Sequence, residues 1–135
     1  MLSSNDREGK TVLIFACSGG SNVGQISNEA AKKLTGDGVG RFFCLAGVGG
    51  DISGIIETTK AADEVIVIDG CSVACAKAII DKIDVPINCY IDATKLGIEK
   101  APHLDFTDEE INTVCDAVTT CLEGGDCGCG GCGCS

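Results

Sequence analysis

Residues 64–80 read EVIVIDGCSVACAKAII, and this stretch decides the fold. Val65 to Ile68 form an unbroken β-branched apolar run, short enough for a strand covered on both faces. Gly70 interrupts it, and over residues 72–83 the apolar positions recur at spacings of three and four, the period of a helix packed along one side. A strand running straight into a helix is half of a βαβ unit. Cys71 and Cys75 stand at the junction, where a thiol can ligate a metal, attack a substrate or fill space.

Three further runs have the same character: TVLIFAC (11–17), RFFCLAG (41–47) and PINCYID (86–92). Each is expected as a buried strand, with helices over residues 21–34 and 51–62 in the intervals. Such alternation predicts right-handed crossovers and a three-layer α/β/α domain built on a mostly parallel four-stranded sheet, flavodoxin- or Rossmann-like. By analogy with flavodoxin-like folds the strand order is expected to be 2-1-3-4. In FTDEEINTVCDAVTTCLE (106–123), Thr107 and Glu110 form a capping box, and Ile111, Val114, Val118 and Leu122 make a stripe. The last helix is therefore placed at 108–122, and residues 92–106, with the only histidine, His103, are read as a connecting loop.

The chain of 135 residues is 44% hydrophobic, enough for one core without covalent staples. Its organisation reads as a flexible N-terminus (1–10), an α/β domain (11–122) and a Cys/Gly-rich tail (123–135). Ten Lys and Arg against twenty Asp and Glu give a net charge of -10, which repels nucleic acid and anionic membrane surfaces. MLSSNDREGK (1–10) has no apolar signal segment, and no apolar run approaches the length of a membrane span. A cytoplasmic location is expected. In a reducing compartment the eleven cysteines point to metal or redox chemistry rather than to disulfides.

Position along the elements sorts these cysteines. Cys17 closes the first run, Cys44 falls near the end of the second, Cys71 follows the third, and Cys75 enters from the next helix. In a parallel sheet these strand ends face one crevice, where ligands bind at a switch in strand order. Four thiolates there suit a tetrahedral zinc ion, although the wide spacing of Cys17 and Cys44 differs from that of fingers and ribbons. A helix N-terminus favours ionised sulfur, and Gly19, Gly20 and Gly70 allow backbone N–H groups to approach it. Asp69 is expected to orient a neighbouring loop, and its charge opposes thiolate formation unless a cation is present. Gln25, in the first turn of the first helix, is expected to bond either a ligand or a strand-end carbonyl.

CSGGSNVGQ (17–25), CLAG (44–47) and DGCSVACA (69–76) resemble the DGC domain family of prokaryotic proteins, described as candidate zinc binders with no established activity. The resemblance covers about residues 11–122 and takes in Asp69, Gly70 and Cys71 as the motif that names the family. It implies Cys17, Cys44, Cys71 and Cys75 as the chelating set, and a closed four-thiolate site of that kind fits a metal carrier, chaperone or sensor. The alternative is a thiol-redox, sulfur-transfer or iron–sulfur enzyme using Cys71 and Cys75 as reactive thiols. If only three cysteines bound metal, a water in the fourth position would admit catalysis. No stretch names a substrate, a protein partner or an oligomeric state.

Two other readings of residues 12–27 fail on missing residues. The start resembles low-molecular-weight phosphatases and arsenate reductases, but Val23 stands where their oxyanion-binding arginine is needed, and no basic residue lies between Cys17 and Lys32. A nucleotide P-loop would need lysine and a hydroxyl where Gln25 and Ile26 stand.

Cys89 and Cys115 are expected to pack in the core, Cys121 is open between packing and ligation, and His103 is expected to be exposed. In GGDCGCGGCGCS (124–135), Cys127, Cys129, Cys132 and Cys134 have C-x-C-x2-C-x-C spacing that resembles metallothionein-like sequence. The tail is expected to be unordered alone and to offer a second site for a soft ion such as Cu(I) or Zn(II).

Overall fold

The computed structural model describes residues 6, 7 and 9–124. The strands are β1 (Asp6–Arg7), β2 (Lys10–Ala16), β3 (Arg41–Phe42), β4 (Glu64–Asp69) and β5 (Cys89–Asp92). The helices are α1 (Asn22–Gly36), α2 (Leu45–Gly49), α3 (Ser53–Ala61), α4 (Cys75–Lys82) and α5 (Asp108–Leu122), with a 3-10 turn at Ala93–Leu96.

Strands β3, β2, β4 and β5 lie in that order, all parallel, as expected from the alternating pattern. Numbered among the four predicted strands, this is 2-1-3-4. The unexpected β1 turns back at Gly9, whose φ is +79°, and pairs antiparallel with the start of β2. α1 and α5 pack together on one face, and α2 packs with α3 and α4 on the other. Because both faces are covered, the last five residues of β2 and of β4 are buried throughout. Phe15, Ile14, Ile66 and Ile68 form the middle of the core, with Ile26 and Leu34 from α1, Val114 and Val118 from α5, Val48 from α2 and Ile80 from α4.

Several boundaries differ from expectation, among them that of β5, which starts at Cys89 and not at Pro86. The run at 41–47 supplies a strand of two residues only, after which the chain turns at Cys44 and begins α2 at Leu45. Phe43 leaves the strand with its ring edge-on to Phe15, centroids 6.0 Å apart, under the Arg41 guanidinium at 5.5 Å. The helix expected over 51–62 starts at Ser53, since Asp51 takes a left-handed φ of 60° and separates it from α2. The helix expected over 72–83 starts only at Cys75, after a left-handed Ala74.

α5 occupies the expected residues. The Thr107 N–H donates to Glu110 Oε1 at 2.9 Å, the Glu110 N–H donates to Thr107 Oγ1 at 3.1 Å, and Asp108 and Glu109 add negative charge to the first turn.

Candidate metal centre

The strand order reverses between β2 and β4, which places a crevice at their carboxyl ends. Ala16 pairs with Ile68, and the Cys17 N–H continues the ladder by donating to the Ile68 carbonyl at 3.0 Å. Cys17 and Cys71 thus leave neighbouring strands at nearly the same level. Cys44 precedes α2 and Cys75 opens α4 on the same edge of the sheet. Cys17 and Cys71 are half-buried, and Cys44 and Cys75 are exposed.

Close packing shapes the Cys17 loop. A Cβ on Gly24 would fall 2.5 Å from the Gly19 carbonyl oxygen, and one on Gly70 would fall 2.7 Å from the Val23 carbonyl carbon. Gly70 therefore admits the first turn of α1 against the end of β4. Gly19 lies against the Cys17 sulfur, which a Cβ there would meet at 3.5 Å. A Cβ on Gly20, by contrast, would meet nothing within 4 Å. Gln25 resolves in favour of the loop: its Nε2 donates to the carbonyls of Ser18 at 3.3 Å and Gly19 at 3.1 Å.

Burial is the largest influence on Cys17 and pushes its thiol up from the ordinary value; the Gly19 N–H opposes this. The charges of Asp69 and Cys75 push it up further, against the Gly70 N–H. The helix terminus expected to favour ionised sulfur is already engaged. Asp69 accepts the N–H of Ala76 at 2.8 Å and of Lys77 at 3.0 Å, together with the Tyr90 hydroxyl at 2.9 Å. Its role is to cap α4 from the end of the preceding strand, where Ala74 offers no side-chain cap.

Two neighbours of the crevice were not anticipated from sequence. Asn22, buried at the start of α1, binds the backbone of Glu99 and Ala101. Between those two, Lys100 places Nζ 3.3 Å from Cys71 Sγ. Nothing in residues 92–106 signals either contact, because both join segments far apart in the chain.

The other described cysteines, Cys89, Cys115 and Cys121, are buried in the packing of the domain. For Cys121, on α5, this favours packing over ligation. His103 is exposed. The four tail cysteines, Cys127, Cys129, Cys132 and Cys134, lie outside the described residues. Among the described residues no three His, Cys, Asp or Glu side chains stand close enough together to hold a metal ion. A cavity of about 480 Å³ lies elsewhere, lined by Glu29, Lys32, Lys33, Asp108, Ile111 and Asn112, with no sulfur in its wall. No helix among the described residues is long and apolar enough to cross a membrane.

The class of protein is thus a doubly wound α/β domain with cysteines at the carboxyl ends of its first three parallel strands. The chain belongs to the DGC domain family, which it matches over residues 13–118. It is similar to the anaerobic and virulence modulator AnvM of Pseudomonas aeruginosa strain PAO1, with 31% identity over 88 residues, or 65% of this chain and 67% of that protein. No solved structure matches it significantly.

Proposed function

We propose that the protein binds zinc, or a similar soft metal ion, through the thiolates of Cys17, Cys44, Cys71 and Cys75, and acts as a metal carrier, chaperone or sensor. The observation that carries this reading is that Cys17 and Cys71 follow the paired ends of β2 and β4, while Cys44 immediately precedes α2 and Cys75 opens α4. Soft thiolates select zinc over hard cations, and four of them close its coordination shell. The thiols are not pre-assembled, so binding in this reading draws the exposed Cys44 and Cys75 inward and couples metal uptake to ordering of the edge. A closed site of this kind stores or reports metal rather than catalysing hydrolysis. The relative's name, a modulator, agrees with such a role.

The tail cysteines Cys127, Cys129, Cys132 and Cys134 would form a separate soft-metal site, on their spacing alone. The test must therefore keep the two apart. Metal content is measured on anaerobically purified full-length protein, beside a form with the four tail cysteines changed to serine. In that second form, about one zinc per chain, lost on changing any of Cys17, Cys44, Cys71 or Cys75 to serine, supports the crevice site. Absence of metal with all four thiols titrating as free would sink it.

A second reading, thiol-redox or sulfur-transfer chemistry at Cys71 and Cys75, draws on the Lys100 ammonium beside Cys71. Fast, selective alkylation of Cys71 in protein that carries no metal as purified would favour that reading.

A further inference from the structure

The loop after β5 is tied to the crevice by one residue, Asn22. Asn22 Nδ2 donates to the Glu99 carbonyl at 2.8 Å, the Ala101 N–H donates to Asn22 Oδ1 at 2.6 Å, and the Asn22 N–H donates to the Ala101 carbonyl at 3.2 Å. The amide is 4% exposed, so breaking these bonds would strand buried polar groups. Three bonds on the two residues flanking Lys100 fix the point from which its long side chain starts. From there the ammonium reaches Cys71, donating to the sulfur at 3.3 Å. Asn22 is also the first residue of α1, directly after the Cys17 loop. One residue thereby links the segment carrying Cys17 to the cation beside Cys71.

We propose that Lys100, held by Asn22, is a positioning residue for the thiolate centre, offsetting the charge that Cys71 carries when it ligates metal. The proposal rests on the metal reading above. A divalent ion on four thiolates leaves two negative charges in excess, in a chain of formal net charge -10 and beside the buried carboxylate of Asp69. The ammonium at Cys71 supplies a full positive charge. Groups of this kind around a metal's ligands orient them and tune affinity.

The test uses the full-length protein with the four tail cysteines changed to serine as parent. Cobalt(II) is titrated in, with thiolate-to-cobalt charge-transfer absorption recorded, and zinc affinity is measured by chelator competition. Lys100→Met, which keeps the stem and removes the charge, is expected to weaken affinity about tenfold and to shift the charge-transfer band. Lys100→Arg is expected to restore most of both, and Asn22→Ala to resemble Lys100→Met. Parent-like binding by Lys100→Met, or no rescue by Lys100→Arg, overturns the proposal. If Cys71→Ser abolishes binding while Lys100→Met leaves it intact, only this inference falls. If the parent takes up no metal, or Cys71→Ser binds as the parent does, the metal reading falls and takes this inference with it.

Discussion

Tyr90 donates its phenolic hydroxyl to the carboxylate of Asp69 at 2.9 Å, and both residues are buried. The same carboxylate caps α4 through the N–H groups of Ala76 and Lys77. The contact joins two neighbouring strands to the helix that begins at Cys75. Removing the carboxylate with Asp69→Ala takes the acceptor from the Ala76 and Lys77 N–H groups and breaks the bond from Tyr90, and is expected to cost about 3 kcal/mol. Tyr90→Phe removes the bond to Asp69 and should cost about 1 kcal/mol. Urea unfolding of both single variants and the double variant would expose their coupling, and strictly additive losses would contradict a shared network.

Gly70 and Gly20 are expected to respond in opposite ways to the same change. Gly70→Ala drives a methyl into the Val23 backbone, which a helix already packed on the sheet cannot yield cheaply. A loss of about 2 kcal/mol is expected. Gly20→Ala meets open space and should stay within about 0.5 kcal/mol of the parent. Thermal unfolding distinguishes the two, and equal losses would refute the close approach at Gly70.

Burial pushes the Cys115 thiol up from the ordinary value of 9.0 to about 11; Lys33 opposes this, while Asp37 and Asp116 add to it. Below pH 9.0 the thiol is neutral in both folded and unfolded chains, so its contribution to stability is fully present. Between 9.0 and about 11 the unfolded chain releases a proton that the folded chain keeps, and stability falls as pH rises. The raised Cys17 thiol acts in the same direction. Cys115→Ala is expected to be less stable at neutral pH but to show a shallower decline over this window, measured by urea unfolding. An unchanged slope would count against the shift.

Exposure orders the thiols. With metal removed, Cys44 and Cys75 are expected to be alkylated before Cys17, and Cys89 and Cys115 only on unfolding. Under the metal reading, zinc should slow modification of Cys44 and Cys75 severalfold and raise the melting temperature, by about 2.7 kcal/mol of added stability at a hundredfold excess over Kd. Peptide mapping by mass spectrometry reads the order. Unprotected Cys44 and Cys75 at saturating zinc would contradict their role as ligands.

What was legible in the sequence was local. Strands β2 and β4 announce themselves because the residues covered on both faces form long apolar runs, and α5 because Thr107 and Glu110 cap it from within four residues. From alternating elements follow right-handed crossovers, hence a parallel sheet whose order also matched the flavodoxin-like analogy. The positions of Cys17 and Cys71 at one edge follow from strand length alone.

The rest depended on partners distant in the chain. α4 begins at Cys75 and not at residue 72 because its cap comes from Asp69, across a turn that propensity does not describe. β3 stops after Phe42 as Phe43 turns to meet Phe15, a contact made by packing. Lys100 reaches Cys71 through a loop that Asn22 grips from the other end of the domain's sequence. The sequence by itself determined which segments become strands and helices, since hydrophobic period and end caps act within a few residues. Only the tertiary structure decided where α4 starts and which cation stands beside Cys71, since hydrogen bonds between segments form only once the sheet has brought them together.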